Sequence, residues 1–271
     1  MKLFAVSDVH SFYSILVQTL QENGFCMENQ EHVLLLLGDA FDRGEEPLEM
    51  ADFLLTLHKK GRLIYVKGNH EDLLIKMLQQ LANGADAVDV ASGYHAINGT
   101  WQTALKLSGM SEAMALHYPF ALVERVMRTR VYRDLLPSCV DYYELDDHVF
   151  VHGWIPVFEV NSIRSAYCSF DAEWRDAESE RWERARWKNG MEMACVKGML
   201  EPGKTIVCGH YHTSWGHAHM HGNGSEWGQD ADFSVFKAPG IVAMDACTAR
   251  SHKINCIVYE CSDPMLKKAG E

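Results

Sequence analysis

Residues 33–44 read VLLLLGDAFDRG: five branched apolar residues run straight into a glycine, two aspartates and an arginine. The apolar half is short and bounded, and it reads as a buried strand; the charged half falls where that strand must end. Outward from it, KLFAVS (2–7) is a second short strand and RLIYV (62–66) a third. Between them SFYSILVQTLQENG (11–24) places Phe12, Ile15, Leu16 and Leu20 at helical spacing and stops on Asn-Gly, and a helix is expected from Pro47 to Lys60. A further helix is expected from Asn69 to Leu81. This β-α-β-α-β-α order predicts parallel strands joined by right-handed crossovers.

Residues 83–137 break the rhythm. Helical segments are expected at 101–107 and 119–136 with no strand, so the stretch reads as a helical insertion. Strand patterns return at 140–145, 148–153, 205–209, 241–245 and 252–260, and their mixed spacing predicts a second, partly antiparallel sheet. Residues 171–190 read as a charged helix studded with tryptophan, with Trp182 and Trp187 packing inward.

The composition, 47% hydrophobic and 23% charged over 271 residues, is that of an ordinary globular chain able to bury a large core. No apolar run approaches membrane-spanning length and the first residues lack the apolar stretch of a signal peptide, so a cytoplasmic protein is expected. A formal net charge of -12 argues against stable nucleic-acid or anionic-membrane binding, while leaving room for a phosphorylated substrate at a local cationic site. The eight cysteines form no CxxC pair and are expected as reduced thiols.

Polar residues cluster where the strands end. Asp8 and His10 follow the first strand; Asp39, Asp42 and Arg43 the second; Asn69, His70 and Glu71 the third. His152 and the pair His210 and His212 follow two later strands, each beside a glycine. In an open parallel sheet the carboxyl ends of strands line one crevice, so these groups should converge. Their oxygen and imidazole donors suit manganese, iron or zinc, and no thiolate is among them. The set exceeds the needs of one ion. Two ions sharing a bridging carboxylate, roughly 3.5 to 4 Å apart, would use it fully and suit phosphate ester hydrolysis.

In order, SDVH, GDAFDRG, GNHE, VHG and GHYH resemble the signature of calcineurin-like metallophosphoesterases, and GDAFDRG with GNHE is similar to the phosphoprotein phosphatase branch. INGTWQTALKLSG, YRDLLP and VHGWIP resemble bacterial and phage members of that branch. The resemblance implies one α/β catalytic domain over residues 1–271, a four-layer α/β/β/α sandwich with 83–137 as a helical cap. It implies two divalent ions, manganese first, with iron or zinc as alternatives. Asp8 and His10 would hold one ion, Asp39 would bridge both, Asn69, His152 and His210 would hold the other, and His212 would join the first. His70 would be the general acid, Asp42 its orienting carboxylate, and Arg43 the phosphate grip, with Asn69 also meeting substrate. A second phosphate arginine is expected from WERARW, Arg186 or Arg184, with Arg164 and Arg175 as further candidates. Lys67 stands where many protein phosphatases carry arginine, and meets phosphate as a point charge. The activity implied is that of a serine/threonine protein phosphatase; the alternative is a dinucleoside polyphosphate hydrolase, with a phosphodiester nuclease and an inert binding scaffold as further rivals. His217, His219 and His221 are expected on a solvated glycine-rich flap, an extra metal or substrate loop being the alternative.

Overall fold

A computed structural model describes residues 1–161 and 166–261, so Arg164 lies outside the described residues. In chain order the strands are β1 (Lys2–Val6), β2 (His32–Leu37), β3 (Leu63–Val66), β4 (Tyr143–Leu145), β5 (His148–Phe150), β6 (Val157–Asn161), β7 (Ala166–Phe170), β8 (Thr205–Cys208), β9 (Phe236–Ala238), β10 (Ile241–Ala243) and β11 (Ile257–Glu260). The helices are α1 (Tyr13–Glu22), α2 (Pro47–Lys59), α3 (Asn69–Ala82), α4 (Ala87–Ser92), α5 (Tyr94–Ile97), α6 (Thr100–Ser108), α7 (Glu112–His117), α8 (Pro119–Met127), α9 (Ser179–Arg186), α10 (Thr213–Met220) and α11 (Thr248–Ser251).

Two main sheets form a mixed α/β fold. One has the order β11-β1-β2-β3 and the other β4-β5-β8-β10-β9. As expected, β1, β2 and β3 are parallel, Ala5 beside Leu35 and Leu35 beside Ile64. Strand alternation explains why β2 carries no polar residue after its first. Val33, Leu35 and Leu37 face the second sheet, where they meet Phe150, Val207 and Met244; Leu34 and Leu36 face the helices, among Leu16, Met50 and Leu54. Each such side chain contributes roughly 2 kcal/mol by leaving water. The outer face of the second sheet is covered by Trp174, Trp182 and Phe236. The strand that ends in the charged cluster is thereby pinned from both faces.

Residues 83–137 are helical throughout their regular part, α4 to α8 followed by two short turns, and they share a core with α3 in which Trp101 and Leu122 pack on Leu74 and Leu78. Several expectations are corrected. Strand β11 joins the first sheet, antiparallel to β1 with Lys2 opposite Glu260, because the free edge of β1 needs a partner. The expected helix over 119–136 ends at Met127, and the regular helix within 171–190 covers only Ser179–Arg186. Trp182 packs inward but Trp187, one residue past the helix, is 40% exposed. Residues 213–220 form α10 rather than a flap, burying His217. The β6–β7 hairpin was not expected. All eight cysteines are free thiols, yet only Cys208 and Cys261 are buried.

Candidate metal centre

The crevice forms where β1, β2, β3, β5 and β8 end, and after β1, β2 and β8 the chain turns at a conformational cost. Asp8, His10, Asp39, Asp42, Arg43 and His210 all sit at positive φ, between 45 and 75°. Non-glycine residues there cost of order 1 kcal/mol or more each, and such strain persists where the surroundings fix it, often at functional sites. Two glycines make the approach possible. A Cβ on Gly38, itself at φ 81°, would lie 2.5 Å from His152 Nδ1, and one on Gly209 would lie 2.2 Å from an Asp8 oxygen.

Two donor groups result, His10 with Asp39 and His70, and Asp39 with His152 and His210; within each, all ligand atoms lie within 4.8 Å of one another. Asp39 belongs to both and divides its oxygens between them. Its Oδ2 is 3.7 Å from His10 Nε2 and 3.8 Å from His70 Nε2, while Oδ1 is 3.4 Å from His152 Nε2. The two longer separations exceed hydrogen-bond length, and all three suit donors arranged about an ion at roughly 2.0 to 2.2 Å. His10 and His152 each direct Nδ1 to a backbone carbonyl, Phe41 at 2.9 Å and Leu37 at 2.7 Å, which turns Nε2 into the crevice. Asn69 Oδ1 stands 2.7 Å from His152 Nε2. His152 thus faces two oxygens, and a neutral ring can donate to only one.

The electrostatics also fit cations. Burial pushes the Asp39 carboxyl up to about 7 and that of Asp8 up to about 6. Asp245, which the sequence reading did not single out, is buried beside them, and burial together with Asp8's charge holds its carboxyl well above the usual range. Three clustered buried carboxyls need positive charge to ionise together. Burial holds His10 and His210 well below the usual imidazole range, in the neutral form that ligates metals. The residues present therefore fit divalent ions.

Asp8 lies in neither donor group; its Oδ2 accepts the His210 backbone N–H at 2.9 Å, which ties the ends of β1 and β8 together. His70 Nδ1 lies 2.7 Å from Asp42 Oδ2 and its Nε2 3.2 Å from the Arg43 guanidinium. Burial alone would depress His70, but the charge of Asp39 and the hydrogen bond to Asp42 raise it above the ordinary value. Asp42 Oδ2 also accepts the Thr100 hydroxyl at 2.7 Å, so the helical segment helps hold it. Arg43 is exposed at the mouth of the crevice.

Glu71, noted in the sequence without a role, is a buried organiser. Its Oε2 accepts the N–H groups of Gly68 and Asp39, and its Oε1 those of Ala40 and the Tyr65 hydroxyl. Two expected members stand apart. His212 Nε2 is 2.9 Å from Glu226 Oε1 and its ring lies against Trp227, outside both donor groups. Arg186 is buried with its guanidinium bonded to Asp72 at 2.8 Å and to Asp141. Lys67 also pairs with Asp72, at 2.5 Å. Arg175 pairs with Glu144 and Glu201, and Arg184 is exposed near Glu159.

Fold and donor set together define a candidate centre for divalent metal ions at the carboxyl ends of the strands. The chain belongs to the calcineurin-like phosphoesterases, whose family model matches residues 1–244, and the family works with two metal ions. It is 31% identical over 80 residues to the asymmetrical bis(5'-nucleosyl)-tetraphosphatase PrpE of Bacillus subtilis (strain 168), covering 27% of this chain and 33% of that protein. The PrpE of Bacillus velezensis is 29% identical over 80 residues, 27% of this chain and 32% of that protein. The matched stretch thus spans about a third of the length of these curated relatives. A solved structure given as a candidate diadenosine tetraphosphatase shares the fold, with a TM-score of 0.50 at 14% identity over 95% of this chain and 89% of that one. No helix among the described residues is long and apolar enough to cross a membrane.

Proposed function

We propose that the chain hydrolyses a phosphomonoester or phosphoanhydride at a centre for two divalent ions, manganese first and iron or zinc as alternatives. The observation that carries this is the division of Asp39, one oxygen towards His10 and His70 and the other towards His152. Asp8, His10 and Asp39 hold one ion; Asp39, Asn69, His152 and His210 hold the other. His212, engaged by Glu226, is left out of the ligand set, and Arg186, engaged by Asp72 and Asp141, out of the phosphate contacts. When bound, the ions supply Lewis-acid stabilisation of the phosphoryl oxygens and an acidified water.

The rest follows from the chain's own groups. The Arg43 guanidinium forks two phosphoryl oxygens. With Nδ1 committed to Asp42, His70 gives its proton from Nε2; that atom accepts from the Arg43 guanidinium in the structure, so Arg43 leaves it for the phosphate as Nε2 takes up the proton that the leaving oxygen receives. Asn69 turns its amide to ion and substrate. Residues 1–271 act as one α/β/β/α domain with 83–137 as the cap that holds Asp42 through Thr100.

GDAFDRG and GNHE support a phosphoserine or phosphothreonine protein as substrate. The PrpE relatives, named as bis(5'-nucleosyl)-tetraphosphatases, support a second reading, a dinucleoside polyphosphate. The test is a side-by-side assay of the manganese-loaded chain on p-nitrophenyl phosphate, phosphoserine, phosphothreonine and phosphotyrosine peptides, and diadenosine tetraphosphate. Hydrolysis of the first is expected, and inertness towards all of them would refute the enzyme assignment.

A further inference from the structure

Two large aromatic side chains stand exposed beside the metal centre, where the hydrolytic machinery gives them no task. Trp187 is 40% exposed, although Trp174 and Trp182 in the same segment are 0% and 2% exposed. Its ring meets the edge of His210 at 5.6 Å and 84°. Tyr94, the first residue of α5, is 54% exposed, its ring 6.5 Å from that of Trp187 and inclined by 38°. An aromatic surface therefore runs from solvent through Trp187 to a proposed metal ligand. Beyond α5, on the side of Arg43, lies a cavity of about 380 Å³ lined by Arg43, Pro47, Ile97, Gln102 and Lys106. Lys106 there pairs with the exposed Glu45.

Resting on the nucleotide reading above, we propose that Trp187 and Tyr94 form a stacking platform for one base of a nucleoside polyphosphate whose phosphates lie over the metal centre. Every base offers a flat π face, and stacking on an exposed aromatic ring binds it without a sequence-specific pocket. The polyphosphate extends past Arg43 into the cavity that Lys106 also lines, where the Lys106 ammonium exchanges the exposed Glu45 carboxylate for phosphate. Trp187 is a specificity residue here: its backbone hydrogen-bonds the His210 ring, a contact that a side-chain substitution leaves in place, while its own ring selects the substrate.

The test compares the manganese-loaded full chain with Trp187→Ala, Tyr94→Ala and Trp187→Phe on diadenosine tetraphosphate and on inorganic tripolyphosphate, an anhydride without a base. Loss of one stacking face should lower kcat/KM for the dinucleotide roughly tenfold relative to tripolyphosphate in Trp187→Ala, with the loss in KM. Tyr94→Ala should lose less, and Trp187→Phe should keep the preference. Equal losses on both substrates would make Trp187 a support for His210 alone and overturn the platform, as would an unchanged ratio. If the wild-type chain cleaves p-nitrophenyl phosphate but neither polyphosphate, the nucleotide reading fails and the platform with it.

Discussion

Replacing Asp42 by asparagine isolates the charge behind the proposed general acid. Both hydrogen bonds to this carboxylate, from His70 at 2.7 Å and from Thr100 at 2.7 Å, arrive at the same oxygen, Oδ2. Asparagine can place its carbonyl oxygen there and keep both, so the geometry survives and only the negative charge goes. A hydrogen bond to a charged group is worth about 1.5 to 3 kcal/mol against about 0.5 to 1.5 for a neutral one, a difference near 1 to 1.5 kcal/mol. That corresponds to roughly one unit in the His70 pKa and about tenfold in rate where protonation of the leaving oxygen limits turnover. Asp42 helps hold His70 above its ordinary value, so the variant's His70 must lose its proton at lower pH. The alkaline limb of kcat should move to lower pH, and phenyl phosphate, whose leaving oxygen needs the proton more, should lose more than p-nitrophenyl phosphate. An unmoved limb with equal losses on both substrates would refute the assignment of His70.

Two further outcomes follow from the buried carboxyls. In Glu71→Gln the amide can donate to the Tyr65 hydroxyl, which accepts as well as donates, but it leaves the Ala40 N–H without an acceptor. The loss should be roughly 1 to 3 kcal/mol in urea unfolding, and more for Glu71→Leu, which orphans all four donors; equal stability of Glu71→Leu and wild type would contradict this. In the metal-free protein Asp39 titrates at about 7, above its usual 3.8, so the folded state holds a proton that the unfolded state has released. The depressed His10 and His210 oppose this only below their ordinary value of 6.5. From about pH 6.5 to 8 the metal-free Tm should therefore fall as Asp39 ionises, and manganese should restore more stability at pH 8 than at pH 6.5; a metal-free Tm that rises over that window would contradict the reading.

The strand ends were legible because each joins an apolar run to a glycine and a polar cluster, a purely local signal. Asp39, Asp42, His70, His152 and His210 were singled out this way, and the structure brings their side chains together. What could not be read was long-range. Nothing in HKINCIVYE tells that β11 completes the edge beside β1 rather than the second sheet. His212 has the right spacing from His210, yet Glu226 meets it from another loop. Arg186 sits in a promising arginine run, but Asp72 and Asp141 take both its ends. Trp187 shares the pattern of its buried neighbour Trp182, and only the end of α9 turns it outward.

The central claim is two ions bridged by one carboxylate. Its most direct measurement is the manganese content per chain of the dialysed protein by elemental analysis, for wild type and for Asp39→Asn. Two ions per chain in the wild type, with both sites weakened together in Asp39→Asn, is the predicted result; a single ion in the wild type, or two retained in Asp39→Asn, would contradict it.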